Sequence, residues 1–172
     1  GVAQVVKNAG DIEYRGFEID GVYTMTDTVT MVASLGYVHS KYKNLISDLT
    51  GDFIIDALDY ALEVPRAAPL TYSLGFNIDG NLGTWRSITR ISYYHRDKSY
   101  YNENNQGFIN EQDILNFGYD IYSPDGKINI GIYGKNLSNE VKHGGDTNLS
   151  FGGTFAPLAK GKIVGAELVY KF

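Results

Sequence analysis

The side chains best equipped for chemistry in this 172-residue chain are three histidines, one acidic run and a set of arginines, and none of them is arranged for catalysis. His39, His95 and His143 stand apart, each without a second histidine at metal-ligand spacing. They suit strand rims or loops. With no cysteine, the chain has neither a thiol nucleophile nor a thiolate metal site. Asp48, Asp52, Asp56, Asp59 and Glu63 crowd one stretch. Carboxylates of this kind bind Ca²⁺, but the Asp-x-Asp-x-Asp-Gly loop is missing, and a solvated acidic loop is expected. Arg86, Arg90 and Arg96 fall at even positions of one segment. They could meet an anionic ligand or the carboxylates of another domain; internal salt bridges are the preferred reading. Glycine-rich phosphate loops are absent, and neither a cofactor nor an enzymatic activity is called for.

The elements that carry these residues have a period of two. At the C-terminus, Val164, Ala166, Leu168, Tyr170 and Phe172 share one parity, and Ile163, Gly165, Glu167, Val169 and Lys171 the other. Alternation of this kind marks a β-strand. Its length suits a tilted membrane-crossing strand of roughly 9–11 residues, although the edge of a soluble sheet would look the same. Six further segments repeat the pattern. Ile12–Thr24 sets Phe17, Ile19, Gly21 and Tyr23 against Glu18, Asp20 and Val22. Val29–Tyr42 sets Met31, Ala33, Leu35 and Tyr37 against Thr30, Val32, Ser34 and Gly36. Leu70–Asp79, opened by Pro69, separates Leu70, Tyr72, Leu74, Phe76 and Ile78 from Thr71, Ser73, Gly75, Asn77 and Asp79. Trp85–Arg96 places Trp85, Thr89, Ile91 and Tyr93 opposite Arg86, Arg90, Ser92, Tyr94 and Arg96. Ile114–Tyr122 opposes Leu115, Phe117, Tyr119 and Ile121 to Asn116, Gly118, Asp120 and Tyr122. Lys127–Leu137 opposes Ile128, Ile130 and Ile132 to Asn129, Gly131, Tyr133 and Lys135. Gly1–Lys7 is read as the tail of an eighth strand.

Composition agrees with an all-β chain. Aromatic residues reach 13%, with 14 Tyr and 8 Phe, types that favour strands. Mean hydropathy is −0.22, and no run approaches the ~18 apolar residues of a membrane helix. A transmembrane barrel hides its apolar residues in alternation, so this does not exclude a membrane. A net charge of −5 argues against a nucleic-acid partner, which a basic patch would recognise. The sequence shows no signal peptide and no initiator Met, and residue 1 looks like a cut inside something longer.

The connections alternate in length. Thr26–Thr28, Asp79–Gly83 and Ser123–Gly126 are short, whereas Lys43–Arg66, Ser99–Asn110 and Ser138–Lys160 are long. Up-and-down outer-membrane barrels have that rhythm; a Greek-key sandwich has no reason for it. The apolar parity carries no Asp, Glu, Lys or Arg in the central part of any strand, as a lipid-facing surface requires and a soluble core would also require. Gly36, Gly75, Gly118, Gly131 and Gly165 all fall on the polar parity, either because something else fills the space there or because they permit curvature. Tyr37, Tyr42, Trp85, Tyr100 and Tyr101 lie near strand ends, where an interfacial aromatic girdle would place them.

Several phrases, in order, resemble the C-terminal β-barrel of TonB-dependent outer-membrane receptors. They are Asn8-Ala9-Gly10 with Arg15-Gly16-Phe17-Glu18, Ser34-Leu35-Gly36-Tyr37, Pro65-Arg66-Ala67-Ala68-Pro69 with Tyr72-Ser73-Leu74-Gly75, Gly134-Lys135-Asn136-Leu137-Ser138-Asn139-Glu140, and the closing Tyr170-Lys171-Phe172. The resemblance implies an antiparallel up-and-down transmembrane barrel segment of about 7–8 strands, with the plug and the N-terminal strands absent from residues 1–172. It implies Phe172, Tyr170 and Leu168 as the assembly signal read by the barrel-assembly machinery. Glu18, Asp20, Arg86, Arg90, Asp120, Lys135 and Glu167 are then candidate lumen-facing residues. The implied partners are outer-membrane lipid of a Gram-negative bacterium and, through the full-length protein, TonB, a plug domain and a small nutrient such as a siderophore. By itself such a segment should transport nothing. A self-contained eight-stranded outer-membrane barrel and a soluble lipocalin-like binding barrel remain as alternatives.

Overall fold

The computed structural model describes residues 8–142, 147–148 and 154–172; the strand expected at residues 1–7, and His143, lie outside the described residues. The described chain is antiparallel β-structure. Seven strands form one sheet in chain order: β1 (Gly10–Thr26), β2 (Val29–Leu45), β3 (Leu70–Leu82), β4 (Trp85–Arg96), β7 (Gln112–Tyr122), β8 (Ile128–Lys135) and β11 (Ile163–Tyr170). Two small hairpins sit in the loops, β5 (Ser99–Tyr100) with β6 (Phe108–Ile109) and β9 (Thr147–Asn148) with β10 (Thr154–Phe155). Among the described residues the one helix, α1 (Ala57–Tyr60), lies between β2 and β3.

Each sheet strand pairs only with its neighbours in the meander, and the short turns alternate with the long connections as expected. Thr26 Oγ1 accepts from the Val29 amide at 3.1 Å in the first turn. Gly83 takes φ +62° in the second, a value that suits glycine. In the third, the Gly126 amide donates to the Ser123 carbonyl at 2.9 Å, and Ser123 Oγ accepts from Ile128 N at 2.9 Å. An odd number of antiparallel strands leaves β1 and β11 running in the same direction. The two edges therefore cannot pair with each other antiparallel.

Strands β1 and β7 run two residues further than the sequence reading, to Gly10 and Thr26 and to Gln112, and other elements differ more. Strand β2 continues through Lys43 to Leu45, because β1 is long enough to pair with it as far as Gly10. Strand β3 continues to Leu82, which faces Trp85 and shrinks the turn to Gly83 and Thr84. Strand β8 stops at Lys135, since Asn136 turns to φ +51°. The polar loop after β4 is partly ordered as the β5–β6 hairpin.

The hydrophobic core cluster lies at the long-loop end of β2, away from the apolar band. Tyr42, Leu45 and Val64 are buried at the end of β2, packed by Leu49, Leu62 and Ala67. Both faces of the sheet itself are open, and Ile19, Val164 and Leu168 remain 62%, 71% and 70% exposed.

Candidate functional site

Pairing register decides which side chains share a face, because cross-strand partners point the same way. Glu18 lies opposite Gly36, Gly36 opposite Thr71, and Thr71 opposite Arg96. Further along, Arg90 lies opposite Gly118, Asp120 opposite Gly131, and Gly131 opposite Glu167. The candidate residues Glu18, Asp20, Arg86, Arg90, Asp120, Lys135 and Glu167 all fall on this one face. Its arginines are engaged. Arg86 holds Asp79 at 2.6 Å, Arg90 is ion-paired with Asp120, and Arg96 donates to Ser99 Oγ at 3.0 Å. Lys135 lies 5.7 Å from the Tyr133 ring centroid. A concavity of about 410 Å³ opens here, lined by Arg90, Ser92, Asn116, Gly118, Tyr133 and Lys135 among others.

Four of the five glycines of this face are covered by their own cross-strand partners; at Gly75 the nearest atoms are the Ile91 and Val32 carbonyl oxygens at 3.6 Å and 3.8 Å. The Arg90 side chain lies 3.6 Å from where a Cβ on Gly118 would stand. Asp120 Oδ1 would be 2.6 Å from a Cβ on Gly131, and Tyr133 Cζ 2.5 Å from one on Gly165. Thr71 Oγ1 stands likewise at 3.0 Å over Gly36. At Gly118, Gly131 and Gly165 the side chain of the cross-strand partner thus lies across the glycine opposite it. Neither expectation for these glycines, an outside occupant or curvature alone, anticipated this use.

The opposite face is an apolar band. It is built from Phe17, Ile19 and Tyr23 on β1, Tyr37, Leu35 and Met31 on β2, the Leu70–Ile78 parity of β3, and matching residues of the later strands. Leu70 to Ile78 runs roughly 27 Å along the strand at 3.3–3.4 Å per residue, and a tilt of about 40° lowers this to roughly 20 Å of height. That is close to the ~25 Å apolar belt of outer-membrane barrels. Toward the long loops the band ends in two aromatic pairs, Phe17 with Tyr37 at 5.8 Å between ring centroids and Tyr72 with Tyr93 at 5.9 Å. Charge begins just beyond them. Arg15 lies opposite His39 and Glu13 opposite Lys41 on the β1–β2 side. On the β4–β7 side, His95 stacks on Tyr72 at 4.7 Å and bridges Asp113 at 2.7 Å and Asp97 at 3.0 Å. Tyr93 Oη donates to the same Asp113 carboxylate at 2.5 Å.

This aromatic row corrects the expected girdle. Tyr37 belongs to it. Tyr42 does not, because its ring is buried in the core cluster beneath the β2–β3 loop. Tyr100 and Tyr101 lie in the β5–β6 region, where Lys98 stands 5.0 Å from the Tyr100 ring and Arg66 4.8 Å from the Tyr101 ring. Proximity to a strand end picked out Tyr37, but also Tyr42, Tyr100 and Tyr101, which lie off the row, and Trp85, which stands opposite Leu82 at the short-turn end.

The acidic run is structural and only partly solvated. Asp59 is fully buried, and its carboxylate accepts from the amides of Leu49 at 2.7 Å, Thr50 at 2.9 Å and Asp56 at 3.0 Å. Asp56 Oδ1 accepts the capping bond from Leu58 N at 2.7 Å. Asp48 accepts from Gly51 N at 2.7 Å and Phe53 N at 2.6 Å. Among the described residues no group of three acidic or histidine side chains could hold a metal ion. The Asp56 amide, ahead of the other donors, holds Asp59 below the usual carboxylate range, and the Gly51 amide does the same for Asp48.

The Gly134–Glu140 phrase forms a knot after β8. Asn136 is buried, with φ +51°. Its Nδ2 donates to the carbonyls of Glu140 at 3.0 Å and Lys160 at 2.8 Å, while its Oδ1 accepts from Glu140 N at 2.9 Å. Asn139, at φ +57°, accepts from Lys162 N at 3.0 Å and so sets the entry to β11. At the far end of β11 the Tyr170 and Phe172 rings meet edge to face at 5.2 Å, exposed together with Leu168.

These features define a class: a meandering antiparallel barrel-type sheet, polar on one face and apolar-banded on the other. Known structures place the particular fold. The chain superposes on the ferric yersiniabactin uptake receptor FyuA from Yersinia pestis with a TM-score of 0.79 at 15% identity, covering 96% of this chain and 24% of that one. It also superposes on the siderophore receptor PiuA from Acinetobacter baumannii with a TM-score of 0.71 at 18% identity, covering 93% of this chain and 22% of that one. The chain therefore has the fold of part of such a receptor and spans about a quarter of its length. No family model matches the sequence, and no curated protein does.

Proposed function

We propose that residues 1–172 form the C-terminal part of the β-barrel of a TonB-dependent receptor in the outer membrane of a Gram-negative bacterium. The full-length protein would take up a siderophore or another scarce nutrient. The observation that carries this reading is the apolar band, bounded by aromatic pairs and then by charge, on a sheet whose other face holds ion pairs and side chains folded over glycine. In this reading the band meets lipid, and the face with Glu18, Asp20, Arg86, Arg90, Asp120, Lys135 and Glu167 lines a lumen that a plug domain occupies. Leu168, Tyr170 and Phe172, exposed at the end of the last strand, serve as the signal for the barrel-assembly machinery. The edges of β1 and β11, which pair with no further strand among the described residues, join the other strands of the barrel. The segment alone moves nothing.

The experiment is uptake of radiolabelled ferric siderophores by iron-limited cells that carry the full-length protein as their only receptor, with and without TonB. Accumulation of at least one ferric siderophore that vanishes without TonB is expected. Accumulation indifferent to TonB, or a protein recovered from the soluble fraction, would sink the reading.

A further inference from the structure

We infer that the β2–β3 loop and the β5–β6 hairpin are fastened into one cap over the loop end of the polar face, closed before any solute arrives and closed while it passes. The inference rests on the reading above in one respect, that this face lines a lumen. Register puts the cap on that side. From the Glu18–Gly36 pair, the polar face steps through Gly16–Val38 and Tyr14–Ser40 to Ile12–Tyr42, because side chains alternate along each strand. Tyr42 is therefore a polar-face residue with a buried ring. The loop residues packed in its cluster, Leu49, Leu62, Val64 and Ala67, are drawn over the same face. Buried Asp59 organises the loop from within, and Tyr60 Oη ties it to the end of β2 by accepting from Leu45 N at 3.1 Å.

The hairpin belongs to the next long connection, and it is joined to the loop in two places. Glu63 N donates to Asn105 Oδ1 at 2.8 Å, and Asn105 Nδ2 donates back to the Glu63 carbonyl at 2.8 Å. A side-chain amide that both accepts from and donates to one residue fixes orientation as well as distance. Close by, Arg66 N donates to the Tyr100 carbonyl at 2.7 Å, and the Arg66 guanidinium lies 4.8 Å from the Tyr101 ring centroid. Val64, between the two joints, is 2% exposed. Both joints use left-handed backbone, with Arg66 at φ +61° and Asn105 at φ +57°. Asparagine tolerates that region better than most residues, whereas arginine is strained in it. Such strain persists only where surrounding contacts over-determine the conformation, and at Arg66 those contacts come from the hairpin. The joint is thus built into the fold and is no passing touch between two independent loops. A cap already fastened has no closing step left for a solute to drive. Solute therefore reaches the lumen beside the cap, on the side of the barrel contributed by strands that precede β1.

The test uses the full-length protein, first by amide exchange with no solute present. Asn105→Ala is expected to speed exchange about tenfold at Arg66 in the loop and at Tyr101 in the hairpin together, since it removes the bonds that hold one to the other. Glu63→Ala is expected to change neither, because Asn105 bonds the main chain of residue 63. Glu63→Cys with Asn105→Cys, in a segment that has no other cysteine, is expected to form a disulfide under mild oxidation before solute is added. Iron-limited cells carrying the oxidised variant are expected to accumulate radiolabelled ferric siderophores as fast as the parent. Acceleration confined to the hairpin, cysteines that stay reduced until solute is present, or uptake that the disulfide blocks and reduction restores would each overturn the inference. A parent that accumulates no ferric siderophore would overturn the receptor reading, while exchange and cross-linking would still decide whether the cap is fastened.

Discussion

Tyr133 and Gly165 face each other across β8 and β11, and the phenol ring occupies the space that a side chain at 165 would need. Any Cβ there would stand 2.5 Å from Cζ and from the hydroxyl oxygen. The last strand is thereby keyed to its neighbour by shape as well as by its ladder. Gly165→Ala should destabilise the sheet by about 1 kcal/mol, the low end of overpacking costs, because the partly exposed Tyr133 ring can swing aside. Thermal unfolding in detergent micelles measures this. Adding Tyr133→Ala to Gly165→Ala should recover much of the loss, because the two positions share one contact. Additive losses in the double variant would mean that the ring does not depend on the glycine.

Ala33 and Ser34 are adjacent and point to opposite faces of β2. If the apolar band meets hydrocarbon, Ala33→Arg should cost about 2–4 kcal/mol, because Ala33 pairs with Leu74, midway between Leu70 and Ile78. Ser34→Arg should cost far less, since position 34 lies opposite Asp20 and Ser73, although it gives up the 2.7 Å bond between the Ser34 and Ser73 hydroxyls. Equilibrium folding into lipid vesicles separates the two. Equal penalties would contradict the assignment of the faces.

Asn136→Ala should release the connection between β8 and β11, because one side chain donates to Glu140 and Lys160 and accepts from Glu140. Leaving buried partners unpaired costs about 1–3 kcal/mol. Amide exchange at Glu140 and Lys162 should accelerate, with exchange in β1 and β2 unchanged.

Acid should open the β2–β3 loop before the sheet. Amide donors hold the folded-state pKa of Asp59 below its ordinary value of 3.8. The ionised form is therefore favoured in the folded loop. Its stabilisation is complete above the unfolded value and is lost as pH falls through the lowered folded one. Amide protection at Leu49, Thr50 and Asp56, corrected for intrinsic rates, should be flat above about pH 5 and fall below the ordinary carboxylate range. Asp59→Asn, which cannot ionise, should lower protection at neutral pH and abolish that dependence. A loop whose protection ignores both changes would exclude Asp59 as its organiser.

Period-two alternation settled the strands, their faces and the order of short and long connections from the sequence alone, because a strand's parity is local and a charge on an apolar face is costly wherever that face points. The seven candidate polar residues could be put on one face for the same reason. Strand ends resisted, as β2 and β3 show: a strand continues while a neighbour is there to pair with it, and Leu45 and Leu82 have partners only in three dimensions. Asp59 could not be distinguished from a solvated carboxylate, since the three amides that surround it come from residues 49, 50 and 56 brought together by the loop's own fold. The glycines likewise revealed their face but not their use, and the aromatic row at Phe17, Tyr37, Tyr72 and Tyr93 emerged only with the register. Covering one residue with another across a sheet depends on which strands are neighbours and at what offset, and that is a property of the assembled sheet.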